Sequence, residues 1–200
     1  MEDRQLVVIG LVVIGIVLLW YIANKPNQTT EYDARNFVIN DATSKYPEAE
    51  ITVTSSNYTN NSWKMKVKAT LNPNSQCPER IHLYYDYPAM QFATRPPEHI
   101  TKNCQICMNV PKCIIVFPEE ALIASHTFPG TERVQMSLDD FPNAIGEANF
   151  EESYMDYYDV WVVSWTYTED GDSETPALFW GMTVTLDKNG NVLSLEEAIS

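Results

Sequence analysis

WKMKVKATL, residues 63–71, sets Trp63, Met65, Val67 and Ala69 on one face of an extended chain and Lys64, Lys66 and Lys68 on the other. That period of two belongs to a strand with one face in a core and one toward solvent. Further extended segments flank it, Glu50–Ser55 before and Arg80–Tyr87 after. The intervening NYTNNS, residues 57–62, has the Asn-rich chemistry of a turn between the first two strands. Ahead of them Ala34, Phe37, Val38, Ala42 and Tyr46 fall at helical spacing, with Thr30 or Asp33 as a cap and Pro47 as a stop. Residues 32–87 therefore read as a helix on an antiparallel sheet.

Upstream, residues 6–23 read LVVIGLVVIGIVLLWYIA and carry no charge. As a helix they cover about 27 Å, near the roughly 30 Å of a hydrocarbon core. Trp20 and Tyr21 fall where an aromatic belt lies. A transmembrane signal-anchor is expected at Leu6 to Ala23, with a tail at 1–5 and a polar stalk at 24–31. The charges flanking it do not orient it. Four Cys and Asn-x-Ser/Thr sequons at Asn27, Asn57 and Asn60, candidate glycosylation sites, favour an extracytoplasmic C-terminal domain. Gly10 and Gly15 are five apart and miss the spacing that pairs membrane helices closely.

A second unit is expected at 132–200. A helix starting near Ser137 would use Leu138, Phe141, Ala144, Ile145 and Ala148 as its apolar face. DVWVVSWTYT (159–168) and PALFWGMTVTLD (176–187) then read as a hairpin around EDGDSE (169–174). Asp187–Asn191 supplies a tight turn into Val192 and Leu193. On VWVVSW (160–165) and MTVTLDKNGNVL (182–193) the C-terminal part resembles PepSY and cystatin-like extracytoplasmic modules. The resemblance implies a helix packed on a curled antiparallel sheet and an association with peptidase inhibition or envelope binding. The expected fold class is α+β: an N-terminal transmembrane helix, then a helix-on-antiparallel-sheet ectodomain in two similar units joined by a Cys- and Pro-rich connecting region at 88–131.

Chemistry concentrates at Cys77, Cys104, Cys107 and Cys113, the last three within NCQICMNVPKC. Two disulfides stapling a loop without its own core are the leading expectation, with Cys77 tied to one member of the cluster. A four-thiolate zinc site lacks its second Cys-x-x-Cys knuckle, and a redox pair at Cys104 and Cys107 lacks a helix behind it. No other metal or cofactor is expected. The Asp187-x-Asn189-x-Asn191 spacing starts like a calcium loop, but glycine stands fourth, not sixth. The acidic pairs Asp139 with Asp140 and Glu151 with Glu152 read as solvated loop charges. Tyr154, Tyr157, Tyr158, Trp161 and Trp180 are candidates for an aromatic binding surface. His82, His99 and His126 show neither metal spacing nor an adjoining nucleophile, and no catalytic residue is assigned.

The formal net charge of −14 disfavours a phosphate-tracking groove and hence nucleic acid. The function expected is a membrane-anchored extracytoplasmic binding or interaction protein without catalytic activity, meeting a protein or an envelope polymer through a sheet surface or edge. The alternatives are an envelope thiol-disulfide or zinc-site protein and a structural subunit of a surface filament or membrane complex.

Overall fold

A computed structural model describes residues 14–15, 29–90, 92–107, 112–169 and 178–199. Helix α1 (Glu31–Lys45) leads into four strands, β1 (Glu50–Thr59), β2 (Ser62–Leu71), β3 (Glu79–Tyr87) and β4 (Glu98–Thr101). Helices α2 (Pro118–Thr127) and α3 (Glu132–Asp140) precede four more, β5 (Ile145–Tyr154), β6 (Tyr157–Glu169), β7 (Leu178–Leu186) and β8 (Val192–Ile199). Each group of four forms an antiparallel meander in chain order.

The first sheet is built as the alternation predicts. Met65, Val67 and Ala69 of β2 and Ile81, Leu83 and Tyr85 of β3 meet Ala34, Val38 and Ala42, a stripe of three residues spaced four apart along α1. Lys64, Lys66 and Lys68 lie on the opposite face, which is open at Lys64 and covered by Glu119 beside Lys68. Asn60 and Asn61 take φ of 53° and 59° between Thr59 and Ser62, the paired left-handed conformation that two-residue hairpin turns need and Asn tolerates. The second sheet packs Trp161, Val163 and Trp165 of β6 and Trp180, Met182, Val184 and Leu186 of β7 against Leu122 of α2 and Leu138 of α3. Its buried indoles keep partners: Trp165 donates to Ser125 Oγ at 3.0 Å and Trp161 to the Ile115 carbonyl at 3.1 Å. The Asp187 carboxylate accepts from the backbone N–H groups of Asn189 and Asn191, fixing the β7–β8 turn.

Three expectations are corrected. The fold class with a membrane-spanning helix is replaced by two four-stranded sheets and three helices, because no helix among the described residues is long and apolar enough to cross a membrane. The longest, α1, has 15 residues and carries charges at Glu31, Asp33, Arg35, Asp41 and Lys45. Leu6 to Ala23 lie outside the described residues except Ile14 and Gly15, which are helical. Second, the apolar positions from Leu138 to Ala148 do not share one helix. The helix ends at Asp140, Pro142 follows, and from Ile145 burial alternates, with Gly146 and Ala148 inward. Third, residues 88–131 are more than a connection. They contribute β4 and α2, a helix buried from Glu119 to His126.

Candidate functional site

Helix α2 sits between the sheets and ties them. Its inner side joins the second core through Ala121, Leu122 and Ala124. Glu119, 4% exposed, turns to the first sheet, where it accepts from Arg80 Nη1 at 2.8 Å and Thr70 Oγ1 at 3.1 Å, with Lys68 Nζ at 3.8 Å. Burial would push its carboxyl up, but the Arg80 hydrogen bond and charge hold it below the usual range. The Phe117 ring covers the Arg80 guanidinium at 3.6 Å. Arg80 Nε also donates to His82 Nε2 at 3.1 Å, so neutral His82 carries its proton on Nδ1, which has no hydrogen-bond partner. Burial, Lys66 and Arg80 depress His82 to about 4. These groups are structural: Arg80, His82 and Glu119 are all buried.

Beyond this lock the open face of the first sheet becomes a groove of about 500 Å³. Ser55 and Asn57 of β1 form one wall, Thr94 and Arg95 the other, and Lys64, Lys66, Tyr84 and Asp86 lie between them. Cross-strand pairing builds it, with Ser55 opposite Lys66 and Lys66 opposite Tyr84, and Asn57 opposite Lys64 and Lys64 opposite Asp86. Arg95 lies 3.3 Å from the Tyr84 ring centroid and Lys66 Nζ 5.6 Å from it, so one aromatic ring gathers two cations. Tyr84 donates its hydroxyl to Glu98, which lowers the Glu98 carboxyl, while burial and Glu98 raise the phenol. Lys64 is paired with Asp86. Among the described residues Lys66 and Arg95 form no ion pair. Two cations, the Ser55 hydroxyl and the Asn57 amide can bind a carboxylate or phosphate, while the Thr94 hydroxyl donates to the Tyr84 carbonyl.

The sequence-derived candidates distribute differently. The cysteines close two disulfides, Cys77–Cys104 and Cys107–Cys113, with Cα separations of 4.8 and 5.2 Å. That pairing consumes the thiolates a four-Cys zinc site would use and divides Cys104 from Cys107. His126 stands beside the first disulfide, with a ligand atom within 4.8 Å of both sulfurs, and its Nε2 is 2.8 Å from the Gln76 carbonyl. The five aromatic candidates are not assembled on a surface. Trp161 and Trp180 are core, Tyr157 donates to the Leu193 carbonyl, Tyr154 is half-buried and Tyr158 is 78% exposed. Asn57 and Asn60 are exposed, Asn57 in the groove wall, and Asn27 lies outside the described residues. Asp139, Asp140, Glu151 and Glu152 are exposed.

The groove escaped the sequence reading because charge was averaged over the chain. Residues 31–107 hold eight acidic and eight basic side chains, whereas 108–200 hold 17 acidic and 3 basic. Counting by half would have shown that the acidic excess does not extend to residues 31–107. What no sequence pattern shows is that Arg95 folds back onto Tyr84.

No protein-family model matches the chain, and no curated protein does. Among solved structures, a candidate lipoprotein of Clostridium difficile 630 aligns over 88% of this chain and 97% of its own, at 16% identity and a TM-score of 0.27. At that score the likeness carries no argument about fold or function.

Proposed function

We propose that the chain is an extracytoplasmic binding protein without catalytic activity, and that it holds a carboxylate- or phosphate-bearing ligand in the groove on the open face of the first sheet. The carrying observation is Lys66 and Arg95, free of ion pairs among the described residues, flanking Tyr84 in a chain of net charge −14. Cations held by an aromatic ring and free of ion pairs supply attraction and a fixed position for an anion, against the opposing charge of nearby Glu98. The extracytoplasmic setting is supported by two disulfides with no free Cys among the described residues, an economy suited to an oxidising compartment. The thiol-disulfide alternative pairs Cys104 with Cys107, and these two belong to different disulfides.

Titration calorimetry with tetraglutamate and with inorganic tripolyphosphate tests the site. Lys66→Glu with Arg95→Glu weakens binding at least tenfold while thermal unfolding stays within a few degrees, since both side chains lie on the open face. Equal affinity in the double variant refutes the groove.

A further inference from the structure

The groove has one wall that is also a free sheet edge. Among the described residues strand β1 pairs only with β2, and its other side offers backbone groups without a strand partner there. Natural sheets guard such edges with charge, proline or brevity, and the other three edges follow that rule. β4 has four residues. β5 carries Glu147, Glu151 and Glu152, and its Gly146 N–H is taken by the Asn74 carbonyl at 2.9 Å. β8 carries Glu196 and Glu197. After Glu50, β1 reads ITVTSSNYT, with no charge and no proline, and none of its residues is buried. Its one irregularity is the register shift between Val53 and Ser55, where Thr54 Oγ1 donates to the Lys66 carbonyl at 3.1 Å. Ser55–Thr59 beyond the shift is a continuous pairing edge, and its Ser55 and Asn57 line the groove.

We infer that β1 accepts an extended peptide as a fifth strand of the first sheet, and that this peptide alternates acidic with apolar side chains. The inference rests on the anion-binding reading of the groove and names its ligand. A strand added to β1 points every second side chain over the face that Ser55 and Asn57 share with Lys66 and Lys64. The added strand stands two strand spacings, about 10 Å, from the Lys66 column, a gap that a glutamate closes with Lys66 once its Nζ, 5.6 Å from the Tyr84 ring, swings from β3 toward β1. Its alternate side chains fall on the α1 side, beside Ser56 and Tyr58, 42% exposed, and, in a strand that continues past the register shift, beside half-buried Val53 and Ile51. Acidic residues on one face and apolar ones on the other match both sets of neighbours. The backbone supplies affinity and the alternation supplies selectivity.

The probe is the blocked octapeptide of four Glu-Val repeats, compared with four Lys-Val repeats and with two Glu-Val analogues N-methylated on odd or on even residues. The Glu-Val peptide binds the intact protein and slows exchange of amides within Ser55–Thr59 at least tenfold, and the Lys-Val peptide does not. One methylated analogue binds at least tenfold more weakly, because only one parity of amides faces β1. Equal binding of both analogues without amide slowing overturns strand addition, and if Lys66→Glu still weakens the parent peptide, the groove survives that failure. Insensitivity of all peptides to Lys66→Glu and Arg95→Glu overturns the groove reading as well. A peptide-free dimer whose Ser55–Thr59 amides are already slow gives the edge to a second copy of the chain and likewise overturns the proposal.

Discussion

His82 shows what a buried imidazole does when its neighbours are cations. Burial opposes its protonation most, Lys66 and Arg80 add to that, Glu98 and Glu119 favour the proton, and the balance falls to about 4 against an ordinary value of 6.5. The unfolded chain therefore takes up this proton first as pH falls, so stability is fully present above about pH 6.5 and drains away toward pH 4. At 1.36 kcal/mol per unit the loss is roughly 3 kcal/mol. His126, depressed by its burial, acts in the same direction. Denaturant unfolding between pH 7 and pH 4.5 should show this fall, and His82→Gln should remove part of it. A pH-independent midpoint across that window, or a variant with an unchanged slope, contradicts the assignment. Carboxylates held low, such as Glu119, matter only below it.

At the scale of elements, strands with clean alternation were legible: β2, β3, β6 and β7 lie where their apolar periods put them, within a few residues at each end. α1 was legible from its stripe. The stretch from Leu138 to Ala148 was not, since small residues at 144 and 148 satisfy a helical period and a strand period alike. Strand β4 and helix α2 were missed for different reasons. Four residues carry too little period to read, and a helix buried on every side has no polar face to define one. The groove was half legible: its lysines were placed toward solvent, but their union with Arg95 and Tyr84 depends on the loop between β3 and β4. Gly146 marks where α2 presses on β5. A Cβ there would meet Leu122 Cδ2 and Trp165 Cζ3, both at 2.6 Å. Gly146→Ala should cost about 1 to 3 kcal/mol through overpacking, lowering the melting temperature by about 2 to 4 °C for each. Gly181→Ala, whose Cβ would meet mainly the Phe179 ring at 3.2 Å, should cost less. Equal melting of the two variants would mean that α2 is free to shift.

The whole of Glu31–Ser200 forms one compact unit despite its two sheets. Glu119 of α2 is neutralised by Arg80 of β3, and removing either half would strand the other's buried charge, a loss worth about 3 to 5 kcal/mol. Heating should accordingly give one transition in which calorimetric and van't Hoff enthalpies agree. Two resolved transitions would show that the sheets melt separately. The division of charge bears on orientation. With its acidic excess confined to residues 108–200 and a neutral balance over 31–107, the molecule is an electric dipole as well as an anion. Near a negatively charged surface, the resulting torque turns the acidic second sheet outward and leaves the first sheet on the nearer side.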